Sequence, residues 1–350
     1  MRILYSSLHN LDMKQDNPVR KIIPDDFNSY MDAYIKFATK ENVSSREYHP
    51  IDPNRMVLRC ISSIFSIFYR RVVDTECETL NELGDSIATK LLDVEKAVQE
   101  RIGHMTDVQK GSIVQALLFD DDSYKYVVAK VEHSEWYDGE TLEKNLGFPG
   151  ENKRVWKSAV INLDNINGVV SFSSIKVFVN HPAKYWTADF LEVKEAKTDA
   201  INTKKVLHAS EKILKQVKDS SLQDYYTIKN TIVHELQSSQ IISYPEMIER
   251  LLDNYVPASD NVDIDRLKEK LLAARERYGF DTQFHTDPEA IRGYGKIKII
   301  ISPSINVLIK EGIPNWKDQF LITEKPDGRT YIMIRCDNPD ILSSFPRDEN

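Results

Sequence analysis

Lys204, Lys205, His208, Lys212, Lys215 and Lys218 recur at three- and four-residue intervals, the spacing that gathers side chains on one side of an α-helix. At 100° per residue these six fall within an arc of about 140°, and Val206, Ser210, Ile213, Leu214 and Val217 occupy the other side. From Ile201 to Lys218 five lysines face Glu211 alone, a local charge of +4 in a chain whose formal net charge is −8. A row of ammonium groups can lie along a phosphate backbone and release its counterions. The competing reading is a solvated helix face, and on spacing alone that reading has the stronger claim. Lys296 and Lys298 add a second basic pair in "KIKIIIS". Alternation with period two puts both on one strand face and turns Ile297 and Ile299 toward a core.

Other groupings carry weaker chemistry. Asp189, Glu192 and Lys194 contain Glu-x-Lys, half of a nuclease site in which carboxylates hold Mg²⁺ and the lysine positions water. That pattern is common in any charged segment, and this one reads as helix or loop. Asp281, His285 and Asp287 read as a polar connector before Pro288 more readily than as a metal cluster. Tyr225, Tyr226, Trp186 and Trp316 are aromatic candidates for stacking on bases, against the commoner role of core and edge packing. Arg266, Lys268, Lys270, Arg275 and Arg277 are interleaved with acids, which favours a solvated face. Phosphate-loop, HExxH, GxSxG and CxxC patterns do not occur. No cofactor or metal is therefore expected.

These residues need a scaffold, and 350 residues are enough for two domains. Hydrophobic content of 41% with 29% charged residues indicates a packed protein and excludes a disordered chain. The acidic balance excludes DNA coating by bulk positive charge, so polyanion binding must be local. Cys60, Cys77 and Cys336 show no paired spacing. No apolar run reaches the roughly 18 residues of a membrane span, and a cytosolic protein is expected.

Helical period is clear in 84–103, where Ile87, Leu91, Val94 and Val98 form a stripe with Gly103 as a stop. Residues 111–132 alternate around an acidic turn at Asp120–Ser123, and 155–179 alternate around Asp164–Gly168, two hairpin signals. The run "MVLRCISSIFSIFYRRVV" at 56–73 is apolar and β-branched enough for a strand or strand pair, with a buried helix as the rival. From 183 to 280 the period is helical, with "TADFLEVKEAK" as its first member and Pro245 placed for a first turn. Strands return in "KIKIIIS", "DQFLITE" and "RTYIMIRC", the last two joined by "KPDG". The expected fold is α+β. Residues 1–180 form an N-terminal antiparallel sheet domain with helices. Residues 181–350 form a helical C-terminal domain closing with antiparallel strands.

That order, from about residue 80 to 336, resembles the bacterial 37-kDa nucleoid-associated protein family. The residues that carry it are "ELGDSIATKLLDVEKAV", "GSIVQALLF", "YVVAKVE", "WKSAVINL", the "DFL" of "TADFLEV", "YGFDTQFHTDPEAIRGYGKIKI" and the closing hairpin. Glu192 departs from it, standing after Phe-Leu where a small residue is commoner. The resemblance implies non-enzymatic association with nucleoid DNA and with chromosome-maintenance proteins such as topoisomerases. Binding is expected to be largely independent of sequence, carried by the 204–218 face with Lys296 and Lys298. Two alternatives stand beside it: an adaptor for a topoisomerase or phage-defence complex, and a Mg²⁺-dependent nuclease. A homodimer would give two such faces avidity.

Overall fold

A computed structural model describes residues 1–23, 44–70, 77–102, 111–120, 122–137, 144–147, 157–179, 184–238, 240–294, 297–309, 320–326 and 328–338, with positions 29, 32, 35, 36, 141, 340 and 344. Its largest element is an eight-stranded sheet. The strands are β1 (Arg2–Leu11), β2 (Val19–Lys21), β3 (Arg46–Pro50), β4 (Gly111–Asp120), β5 (Ser123–Glu132), β8 (Lys157–Ile166), β9 (Val169–Val179) and β10 (Val193–Glu195). β6 (Ser134–Tyr137) and β7 (Lys144–Gly147) form a short separate antiparallel pair. The sheet order is β10-β3-β9-β8-β5-β4-β1-β2, and all its pairs are antiparallel.

Turn chemistry sets two of the pairings. Asn167 and Gly168 hold φ of 53° and 85°, the doubly positive geometry of the two-residue turn whose twist matches the flanking strands. The turn is thus tighter than the 164–168 span suggested. Asp122 at φ 59° closes β4 onto β5, with Asp120 opposite Ser123.

Two helices cover one face of this sheet: α1 (Met56–Tyr69) and α2 (Cys77–Ile102). The strand expectation for 56–73 is corrected here, and the helical rival holds over 56–69. Val57, Leu58, Ile61, Ile64 and Phe65 are all fully buried, and their spacing closes a single helical stripe. Packing of that stripe outweighs the weak strand preference of its isoleucines. The core joins α1 and α2 to Ile113, Leu117, Tyr126, Val128, Ile161 and Ile175 of the sheet. A smaller cluster of Ile35, Ala116, Leu118 and Val127 lies on the opposite face, as period-two alternation requires.

His9 of β1 is buried beneath α2. Its Nε2 lies 2.7 Å from Asp85, which also accepts from Arg20 at 2.9 Å. Burial depresses the His9 pKa below its ordinary value, against the Asp85 hydrogen bond that raises it. A histidine that resists protonation when folded but accepts it when unfolded makes stability rise with pH. The contribution is complete above the unfolded pKa of about 6.5 and is lost as pH falls from there through the lower folded pKa. Melting temperature should therefore drop more between pH 7 and pH 5 in the wild type than in His9→Gln. Parallel curves would refute this assignment.

The chain then builds a second core. Its helices are α3 (Asp199–Ser220), α4 (Leu222–Gln237), α5 (Tyr244–Leu252), α6 (Ile264–Leu272) and α7 (Ala274–Tyr278), with the pair β11 (Ile241–Ser243) and β12 (Gln283–His285) beside them. Val206, Leu214, Ile228, Ile248, Leu271 and Phe284 are among its buried residues. The caps are local: Thr198 accepts from the Ile201 amide, Ser221 from Asp224 and Asp263 from Arg266. Pro245 occupies the first turn of α5.

A polar seam joins the two cores. Arg46 donates to Glu195 at 2.7 Å and the Lys197 carbonyl at 2.8 Å, and meets Asp199 at 2.8 Å. Asp281 accepts from Lys197 at 3.2 Å and from Asn202 at 2.9 Å. The Gln283 amide clasps both backbone groups of Val179. The C-terminal strands form two separate hairpins: β13 (Ile297–Ser302) with β14 (Ile305–Ile309), and β15 (Phe320–Glu324) with β16 (Thr330–Ile334). Gly328, at φ 75°, closes the second.

Candidate nucleic-acid interface

Helix α3 buries one side and leaves the other open. Val206, Leu207, Ala209, Ser210, Leu214 and Val217 are buried. Lys204, His208, Lys212, Lys215 and Lys218 are exposed and Lys205 is half-buried. From Lys204 to Lys218 the strip runs about 21 Å along the helix axis, the length of about six base pairs of duplex. Glu211, the one acid within it, is held at 2.7 Å by Lys229 of α4, so its charge is offset by a cation from outside the strip. No ion pair joins the strip lysines themselves to an acid among the described residues.

Such an arrangement opposes local helix energetics. Lys212, Lys215 and Lys218 repeat at three-residue spacing. Like charges so placed cost roughly 0.2–0.5 kcal/mol per pair. The helix persists because its other side is anchored in the second core. Unpaired like charges held against their own repulsion are what a polyanion would relieve.

Neighbouring segments extend the strip in ways that spacing did not reveal. Lys270 of α6 donates to Gln216 of α3 at 2.5 Å, which brings a further cation alongside, although acids flank it in the sequence. Lys268 is tied instead to Asp253 at 2.5 Å. Lys218 and Lys229 lie 5.7 and 5.9 Å from the centre of the Tyr225 ring. Beside the strip, Lys204, Lys205, His208 and Glu211 share a groove of about 400 Å³ with Leu207, Tyr278, Ile291 and Tyr294.

The remaining candidates separate. Lys298 stands in β13 opposite Leu308, and Lys296 lies outside the described residues. Trp186 is fully buried in the first core against Phe190, so its stacking role is corrected to packing. Tyr225 and Tyr226 are half-buried, and Trp316 lies outside the described residues.

The helical expectation for 187–197 is corrected as well. Tyr185–Phe190 form one π-helical turn, and Val193–Glu195 become β10 through pairing with Pro50, His49 and Tyr48. In this arrangement Asp189 meets Arg101 at 3.6 Å and Glu192 meets Arg55 at 3.3 Å. Glu192 also holds φ at 53°. Asp281 belongs to the polar seam, Asp287 caps a 3₁₀ turn at Pro288–Ile291, and His285 is exposed on β12. Among the described residues, no group of three or more His, Cys, Asp or Glu could hold a metal ion. Among them too, no helix is long and apolar enough to cross a membrane.

The family model described as nucleoid-associated protein YejK matches residues 104–335, well over half the chain. The matched span contains the whole α3 strip and its groove, and begins after β1, β3, α1 and α2. No curated protein matches the chain.

Proposed function

We propose, from the fact that this chain belongs to the nucleoid-associated protein family, that it binds DNA through the α3 lysine strip, largely without regard to sequence. The observation that carries this reading is the exposure of Lys204, Lys212, Lys215 and Lys218, with Lys205 beside them and Glu211 already paired. Five ammonium groups spread along one helix face suit phosphate contacts, which position a protein on DNA and carry no sequence information directly. The role is association with the nucleoid, without catalysis. Asp189 and Glu192, each engaged by a separate arginine, support that part of the reading.

Salt dependence tests it. Five phosphate contacts predict a log–log slope of about −4.5, so affinity for a 20-base-pair duplex should fall about 500-fold between 50 and 200 mM salt. Fluorescence anisotropy on labelled duplex measures it. A slope near zero would remove the phosphate reading.

A second reading, an adaptor for a topoisomerase or phage-defence subunit, draws on a different observation. Leu321, Ile322, Met333 and Ile334 of the β15–β16 hairpin are exposed, and an isolated two-stranded hairpin is marginal in water. Retention of a partner after nuclease treatment of the lysate, and its loss on Ile322→Lys, would favour the adaptor. A homodimer covering the same hairpin would be seen as a dimer-sized wild type that becomes a monomer on Ile322→Lys.

A further inference from the structure

The groove beside the strip has a composition that phosphate binding alone does not use. Its floor is apolar, with Leu207 and Ile291 buried. Two of its walls are aromatic: Tyr278 ends α7, and Tyr294 follows the 3₁₀ turn and remains 55% exposed. Lys204 and Lys205 stand at its α3 side.

Tyr278 is held in place by its neighbours, and the backbone of Tyr294 by the turn before it. Gly279, at φ 62°, terminates α7 in the left-handed conformation that favours glycine. Lys205 donates to the Gly279 carbonyl at 2.9 Å, and the His208 ring meets Tyr278 edge-on at 6.1 Å. The Tyr294 amide donates to the Ile291 carbonyl at 3.1 Å. The groove thus sets an exposed aromatic ring, Tyr294, beside an apolar floor of Leu207 and Ile291 and next to two lysines.

We infer that this groove receives one unstacked nucleobase of single-stranded DNA whose backbone runs along the α3 lysines. The inference rests on the proposed phosphate contact and adds the form of DNA preferred. A volume of about 400 Å³ lies at the small end of ligand pockets and suits a single nucleotide. Bases within a duplex are stacked and paired, and cannot enter it without unpairing. A single strand offers its bases freely, and every base has a face that stacks on tyrosine without sequence preference.

The test compares a 20-nucleotide oligothymidylate with a 20-base-pair duplex by fluorescence anisotropy, at one salt concentration. Wild-type protein should favour the single strand. Tyr294→Leu should weaken the single strand about tenfold or more and leave the duplex unchanged, and Tyr294→Phe should keep the preference. An oligomer carrying abasic sites in place of thymidines should bind wild type as weakly as thymidylate binds Tyr294→Leu. Equal losses on both DNAs, no change in Tyr294→Leu, or full affinity for the abasic oligomer would each overturn the base pocket. Salt-sensitive duplex binding would still leave the phosphate reading standing in those cases. Failure of wild type to bind either DNA would overturn both.

Discussion

Changing Lys204, Lys212 and Lys215 together to glutamate should lower duplex affinity at 0.1 M salt by at least about 500-fold. Each phosphate contact contributes about 0.9 to the log–log salt slope, so three contacts at that concentration account for a factor near 500. Charge reversal adds repulsion to that loss. These three are the most informative set because they are exposed and, among the described residues, make no hydrogen bond or ion pair, unlike Lys205 at the Gly279 carbonyl. The fold should tolerate the change, since surface substitutions of this kind stay within about 0.5 kcal/mol each. The salt slope should become shallower by about 2.7. Arg2→Glu with Lys14→Glu and Lys21→Glu, exposed on the first half of the chain, matches the change in total charge and should leave the slope unaltered. Affinity unchanged in the triple variant would sever the strip from DNA binding. Equal loss in the control would assign the effect to net charge.

The strip was legible because α3 is a regular helix whose buried side is set by period alone. Val206, Leu214 and Val217 fix the core side, and the lysines must then face away. The hairpins were legible from paired ten-residue apolar runs with local turn chemistry at Asp122 and at Asn167-Gly168. What sequence could not reveal is made by distant residues. β10 exists through β3, with Val193 beside Pro50, and no periodicity across 187–197 encodes that partner. Lys229 reaches Glu211 from another helix, and Lys270 reaches Gln216 from across the core. The groove gathers α3, the end of α7 and the residues after the 3₁₀ turn, so Tyr278 and Tyr294 had no signal linking them to the lysines. Helix α1 was obscured by its isoleucines, which serve either period until burial decides between them.

The largest stability effect should come from the first core, far in sequence from the strip. Lys130 of β5 is fully buried, 2.5 Å from Glu95 of α2, and the Tyr185 hydroxyl donates to the same carboxylate at 3.2 Å. Close by, Lys157 meets Glu132 at 3.5 Å, and burial together with the Lys130 charge lowers the Lys157 pKa. Lys130→Met leaves Glu95 charged and buried without its cation. Breaking a buried pair in this way costs about 3–5 kcal/mol, whereas replacing both partners by apolar groups is often neutral. Urea unfolding should therefore show a large drop for Lys130→Met and substantial recovery for Lys130→Met with Glu95→Leu. Recovery should stop short of complete because Tyr185 then loses its acceptor. A single variant within 1 kcal/mol of wild type, or a double variant no more stable than the single, would contradict the buried-pair account. DNA affinity gives the two cores separate readouts. The pair sits in the sheet core and the lysines on the helical one, so the folded double variant should bind duplex with the wild-type salt slope. A changed slope would mean that packing beneath α2 reaches α3 through the seam of Arg46, Lys197 and Asp281.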